Sequence, residues 1–302
     1  MVGRRTWVAW CFAMVLANVC ADEPGKVGKG GIRQDGLSPM NKQGTVLVDQ
    51  GGKRVLLKTK VVLRRGALEL FCCLKGTKEH ESIVAVDALA QDVHAALLLV
   101  GAEPGSPCRY DPKFIPPKGP IIDLFVQWID DQGKLHREKG QNWVRGSTLR
   151  YFVAPLAELP ENTEIGDETD LRYDEKHREL FWFGIMNETQ KTHWSNQSED
   201  EEYKKAIGTI FQESQIKEMK SDWVFAGSFF GKDDVLKKEF YAAEDGDLIC
   251  VSNFTNATLD VNGESGNSNA GLLYEAYTER IPALETEVTV ELVPRVEKEG
   301  EK

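Results

Sequence analysis

Side chains whose types and spacing could do chemistry gather at Glu79-His80-Glu81, where one imidazole stands between two carboxylates. Neutral imidazole and carboxylates are metal ligands, and the same groups can act as general acid and base. His94, a little further along, could add a second imidazole. Glu79, His80, Glu81 and His94 are therefore the candidate catalytic residues. His80 and His94 are the candidate ligands for a divalent metal, and Lys78, His80 and Ser82 the candidate ligand-binding residues; no cofactor is otherwise expected. A zinc-protease helix is excluded, because H-E-x-x-H would need histidine where Val84 stands. If this stretch were extended, alternation would set Glu79 and Glu81 on one face and His80 on the other, so the three could converge only at a bend. The structural reading is the stronger one: His80 and its acids bond the loop backbone or pair with Lys78, and a nearby carbonyl satisfies His94.

Other polar groupings yield to plainer explanations. Ser228 lacks a G-x-S-x-G elbow, and Gly263-Glu264-Ser265-Gly266 lies in a loop rather than on a strand-to-helix turn. Asp260, Asn262 and Glu264 alternate like a calcium loop, but glycine falls at its seventh position and Gly271 replaces the closing bidentate acid. Asp245-Gly246-Asp247 reads as a turn between strands. Trp128, Trp182 and Trp223 sit in strand patterns and are expected in the core rather than on a sugar-stacking platform. Sequons at Asn187, Asn196, Asn253 and Asn256 matter only in a host that glycosylates them.

The elements that must position these residues begin after an export signal. Arg4 and Arg5 precede an apolar run, and Val19-Cys20-Ala21 resembles a signal-peptidase site, so residues 1–21 read as a cleaved signal. Lipid attachment through Cys20 is the alternative, weakened by Ala17-Asn18-Val19 ahead of it. Glycine-rich residues 22–44 read as a flexible linker and the charged residues 296–302 as a disordered tail. Between them, β-patterned runs cover 45–49, 54–63, 68–74, 82–86, 121–129, 134–137, 180–184, 223–230, 238–242, 248–254, 272–277 and 287–293, with further β character around Trp143 and at 151–153. Two helices interrupt them. Leu89, Val93, Leu97 and Val100 recur at helical spacing over 88–100, with Asp87 as N-cap, Gly101 just past the end and Pro104 as a stop. This helix is so apolar that it should lie largely buried. An amphipathic helix over 199–214 opens on Ser198-Glu199-Asp200-Glu201, a capping-box pattern. The predicted class is α+β, mainly antiparallel sheet, with the first helix packed on a sheet face; strand order is not readable.

Size and charge narrow the function classes. At 302 residues the chain can bury a full core, and a 41% hydrophobic, 28% charged composition excludes wholesale disorder. Removing residues 1–21 takes two arginines and no acids, moving the formal charge from −11 to −13. Such a chain repels phosphate backbones, so nucleic acid is not an expected partner. No run past the signal is long enough to span a membrane. Outside the signal, four cysteines remain: Cys72, Cys73, Cys108 and Cys250. Their pairing cannot be chosen from sequence. Cys72 and Cys73, adjacent in a strand, should point to opposite faces, with at most one in the core and no bond between them.

Lys78-Glu79-His80-Glu81-Ser82, His94-Ala95-Ala96-Leu97-Leu98 and Gly101-Ala102-Glu103-Pro104-Gly105 together resemble the signature of the YdjY domain family. Trp223-Val224-Phe225-Ala226-Gly227-Ser228, Asp245-Gly246-Asp247-Leu248-Ile249 and Glu279-Arg280-Ile281-Pro282 are similar to later parts of it. The resemblance implies one domain over 45–295 and no established activity. Some members carry or neighbour iron-sulfur motifs with close cysteines; those motifs are missing from this sequence, so electron transfer is not implied. The leading expectation is an exported, envelope-associated or secreted module that binds an envelope protein or small ligand and is not an enzyme. A metal-assisted or acid/base hydrolase using Glu79, His80, Glu81 and His94 is the alternative, and a thiol redox protein the second.

Overall fold

Alternating apolar residues need two faces to cover, and the chain solves this by closing a sheet on itself. The computed structural model describes residues 36–147, 151–161, 163–165, 169–233, 238–263 and 274–295. The signal 1–21 with Cys20, residues 22–35 of the expected linker, Glu264 to Gly271, the first two residues of the strand expected at 272–277, and the tail 296–302 lie outside them.

Strands are β1 Leu37–Pro39, β2 Val46–Asp49, β3 Arg54–Val61, β4 Leu70–Leu74, β5 Ser82–Val86, β6 Ile121–Ile129, β7 Leu135–Lys139, β8 Val144–Gly146 and β9 Tyr151–Pro155. They continue as β10 Leu171–Asp174, β11 Glu179–Phe183, β12 Trp223–Phe225, β13 Phe230–Asp233, β14 Lys238–Tyr241, β15 Ile249–Cys250, β16 Leu259–Val261, β17 Tyr274–Ala276 and β18 Glu287–Pro294. Helices are α1 Ala90–Leu99, α2 Glu188–Ser195 and α3 Glu201–Ser214. The α+β class holds.

Hydrogen bonding runs β3-β18-β6-β12-β16-β15-β4-β5 and returns from β5 to β3, an eight-stranded barrel. Closure turns on β3: residues Arg54 to Leu57 pair with β2, and Thr59 to Val61 pair with β5 along the same edge. Lys58 thus sits where one strand hands that edge to another. Pairings are antiparallel except β4 with β5 and β15 with β16. A barrel of this size is filled by side chains. Val55, Leu57, Val61, Leu124, Val126, Val290, Leu292, Trp223 and Phe225 share its main core.

Several expectations need correction. Part of the expected linker is a strand, because β1 pairs with β2 through Leu37 with Asp49 and its neighbours. The expected strand 223–230 breaks at Gly227 and Ser228, both at positive φ, before β13 begins. A Cβ on Gly227 would come within 2.4 Å of Pro104, so the chain turns here against a close neighbour that only glycine permits. Cys72 and Cys73 do face opposite ways, yet both are fully buried, since Cys73 joins a second cluster with Leu70, Ala85, Cys250 and Ala257.

α1 begins at Ala90, and Asp87 is not its cap. Asp87 pairs with Lys75 instead, while the distant Glu244 carboxylate accepts the N–H groups of Ala90 and Gln91 at 3.1 and 3.0 Å. Gly101 ends the helix at φ 89°, with the Ala102 N–H returning to Leu97. Ala90, Val93, Ala96 and Leu97 are buried against β2 and β3, but Leu98 and Leu99 are half exposed, so α1 buries one face only.

A second body of core lies apart from the barrel. β10-β11-β9 form a three-stranded antiparallel sheet whose inner face packs Phe152, Ala154, Leu180 and Trp182 against Tyr203, Ile207 and Ile210 of α3. The cap of α3 is Asp200, whose carboxylate accepts from the Tyr203 N–H at 2.8 Å; Ser198 bonds the Asp200 N–H rather than capping. α2 was not anticipated, although Asn187-Glu188-Thr189-Gln190 spells its capping box: Asn187 accepts from the Gln190 N–H and Gln190 from the Asn187 N–H.

Candidate functional site

Between β4 and β5 the chain turns through a short 3-10 helix, Glu79–Glu81, rather than an extended segment. Two groups of this signature go inward. Ser82 is fully buried, and its hydroxyl donates to the Val84 carbonyl, leaving no polar edge toward solvent. Lys78 donates to Asp247 Oδ1 at 2.7 Å, and Asp247 Oδ2 accepts from Asn256 Nδ2 at 2.7 Å. Burial opposes the lysine's charge, but its hydrogen bond and attraction to Asp247, with Glu81 adding to them, hold its pKa above the ordinary value. Glu79 accepts the Gly76 N–H at 2.8 Å.

His80 alone points out, with a side chain 77% exposed and Nε2 3.8 Å from Glu81. Glu81 also meets a residue that sequence reading did not single out, Glu69. Burial and then repulsion from Glu81 push the Glu69 carboxyl above its usual range, and the Glu69 N–H donates to the Glu81 carbonyl at 3.1 Å. A carboxyl pair with one raised pKa beside a lysine can hold and release a proton. Nothing in the sequence pointed to Glu69, because it stands before β4, well ahead of the signature, and arrives only through the parallel pairing of β4 with β5.

His94 belongs to other surroundings. It is buried, with Nδ1 2.9 Å from the Tyr241 hydroxyl, and its ring meets Phe225, Phe230 and Tyr241 edge-on. Burial draws the imidazole pKa down, opposed in part by the Gly227 carbonyl. His80 and His94 share none of these neighbours. Among the described residues, no three His, Cys, Asp or Glu side chains form a group able to hold a metal ion.

The thiols are not activated. Cys72, Cys73, Cys108 and Cys250 are buried and unbonded to one another, and burial raises every thiol pKa, that of Cys108 to about 12. A redox thiol needs the opposite shift. Beside Cys108 and Cys250 lies Asp260, whose Oδ1 accepts from the Val261 N–H and from Asn253, while Oδ2 is buried without a partner. Burial pushes this carboxyl up to about 8.

The three-stranded sheet offers a different surface. Its inner face is covered by α3, but its outer face carries Tyr151 and Val153 from β9, Phe181 and Phe183 from β11, and Arg172 from β10. Tyr151 is 51% exposed and Phe183 40%. The Tyr151 ring lies 5.9 Å from Phe181 and 6.2 Å from Phe183, and the Arg172 guanidinium sits 5.8 Å from the Phe183 centroid. Three aromatic rings grouped on an uncovered face form the kind of patch that marks interaction sites. The period-two alternation of 151–153 and 180–184 was visible in sequence; which side α3 would cover was not.

No curated protein matches the chain, and no solved structure does. A family model described as YdjY domain does match, over residues 46–147, which hold β2 to β8, α1 and the Lys78–Ser82 signature. The later stretches with similar wording, at 223–228, 245–249 and 279–282, fall outside that match. Over residues 46–147 the chain is therefore similar to YdjY domains.

Proposed function

We propose that this protein is an exported binding module that docks a partner on the outer face of the β9–β11 sheet. The observation that carries the binding part is the uncovered aromatic cluster of Tyr151, Phe181 and Phe183. The signature residues support the same view by contrast: Lys78, Glu79, Ser82 and His94 are engaged internally, which suits a scaffold more than a site. Export rests on the residues 1–21 pattern. A photo-crosslinking amino acid placed at Phe183 in the producing cell should give a discrete adduct in the extracytoplasmic fraction, and the same group at Leu135 on the barrel should not. Equal labelling at both, or a cytoplasmic product that retains residues 1–21, counts against the proposal.

A second reading keeps acid/base chemistry at the signature, with Glu69 and Glu81 sharing a proton beside Lys78 and His80 as the exposed partner. Elemental analysis of residues 22–302 with a His80→Ala variant separates its metal-assisted form. About one equivalent of transition metal, lost in the variant, would favour it.

A further inference from the structure

The edge of the three-stranded sheet is as informative as its face. Across β10 and β11 the Phe183 N–H donates to Asp170 O at 3.1 Å, which makes Phe181 with Arg172 the next bonded pair in register. Across β11 and β9 the Leu156 N–H donates to Arg178 O at 2.9 Å, which makes Ala154 with Leu180 and Phe152 with Trp182 the bonded pairs. Antiparallel ladders alternate in this way, so the N–H and C=O groups of Tyr151 and Val153 point away from β11. Among the described residues, no strand pairs with that side of β9. Pro155 closes the edge, since it has no N–H to donate.

We propose that β9 accepts an extended, cationic peptide segment of a partner protein as a fourth strand, a deepening that rests on the binding-module reading above. Main-chain groups of Tyr151 and Val153 supply the ladder, and every second side chain of the incoming strand falls beside Tyr151 and Val153, with the Phe183 ring behind Tyr151 on the aromatic face. The remaining side chains point the other way, toward the side of the sheet where a small cleft is lined by Phe152, Ile185 and Ile216 together with the polar Glu213, Gln215 and Lys217.

Size and charge select this occupant over a second copy of the chain. Three strands spaced by about 4.8 Å and five residues long present roughly 200–250 Å² on one face. A stable dimer buries about 800 Å² on each partner. A second copy would also bring the same formal charge, −13 once residues 1–21 are removed. The rows of the outer face run Tyr151–Phe183, then Val153–Phe181–Arg172, then Pro155–Glu179–Asp174, so the end away from the aromatic rings carries two carboxylates, of which Asp174 pairs with His177 and Glu179 is left for an incoming cation. A strand with apolar side chains at alternate positions and basic residues at its ends matches this pattern.

The test uses mature protein, residues 22–302, and a fluorescein-labelled seven-residue peptide of alternating valine and threonine with lysine at both ends. Fluorescence anisotropy should show saturable binding, at least tenfold weaker in Phe183→Ser and in Val153→Pro, and lost when the peptide's central valine is proline. Phe183→Ser guards against the chance that Val153→Pro disturbs the sheet. Hydrogen exchange at the Tyr151 and Val153 amides should slow when the peptide binds. No binding, binding equal in both variants, binding matched by oligolysine, or protection elsewhere overturns the proposal. Should the Phe183 crosslink succeed while the peptide fails, the docking face stands and strand addition does not; should both fail, the face itself is wrong.

Discussion

The barrel and the β9–β11 sheet use the same alternating residues to opposite ends. In the barrel both faces are occupied: Cys72 and Cys73 point apart and are both buried, and Glu291 on β18, facing away from the main core, is locked by Arg54, Arg137 and Gln127. In the smaller sheet one face is covered by α3 and the other is left open with its aromatic rings. The eight closed strands offer no edge of their own, the ends of that sheet being β1 and β7, whereas the three-stranded sheet has edges at β10 and β9. Polar groups in the barrel therefore serve the fold, and the smaller sheet keeps an edge and a face for something else.

The sharpest way to break that comparison is to remove one buried tryptophan from each region. Trp223 is fully buried, packs edge-on against Phe71 and donates to the Cys250 carbonyl at 2.8 Å. Trp223→Ala should cost about 3–5 kcal/mol in denaturant unfolding. Trp223→Phe keeps most of the volume but strands the carbonyl, which adds about 1–3 kcal/mol. Trp182 on the inner face of the smaller sheet is as buried, yet its Nε1 has no partner, so Trp182→Phe should cost clearly less than Trp223→Phe. Equal losses would mean the hydrogen bond to Cys250 matters little.

Asp260 gives the next largest effect, with a pH signature. Its carboxyl has the ordinary value of 3.8 when unfolded and is pushed by burial up to about 8 when folded. The folded chain therefore holds a proton that the unfolded chain has released. Asp260's contribution is complete below the unfolded value and lost as pH rises toward 8, with a slope of up to about 1.4 kcal/mol per pH unit. Asp260→Asn should flatten the stability profile over that window and make the variant the more stable protein at pH 8. An unchanged slope would show that the carboxyl is already ionised in the fold.

Glu291 should behave in the reverse sense. Burial pushes its pKa up, but hydrogen bonds from Arg54, Arg137 and Gln127 outweigh that and hold the carboxyl below its usual range. Its stabilisation is present above the unfolded pKa and lost as pH falls through the lower, folded one. Glu291→Gln should cost about 1.5–3 kcal/mol at neutral pH, with less loss in acid. The smallest effect belongs to the exposed positions: His80→Ala and Phe183→Ser should each change stability by no more than about 0.5 kcal/mol. A large loss at Phe183 would mean that the aromatic face is part of the core after all.

Some of this was open to reading in the residues themselves. The helix over 90–99 follows from Leu89, Val93 and Leu97 at helical spacing with Gly101 behind them, and α3 from its amphipathic run. Strand patterns gave most of the barrel staves, and the 78–82 and 94–105 stretches pointed to the domain matched at 46–147. The caps were less legible. Asp87 lost to Glu244, which lies more than 150 residues away, and Ser198 lost to Asp200 because a two-residue shift costs a flexible terminus little.

The candidate site shows the same division. Residue types and spacing determined that Lys78 to Ser82 would be a crowded polar turn, since a run of charge and hydroxyl between two apolar strands can only be a connection. They also determined which strand residues alternate and that the chain is acidic. Only tertiary structure decided that Glu69 meets Glu81, that Lys78 finds Asp247, that His94 is enclosed by Tyr241 and two phenylalanines, and that α3 covers one side of β9–β11 and leaves the other bare. The physical reason is range: turns, caps and periodicity are settled by neighbours a few residues apart, whereas barrel closure and the choice of which apolar face to bury depend on elements dozens to hundreds of residues apart.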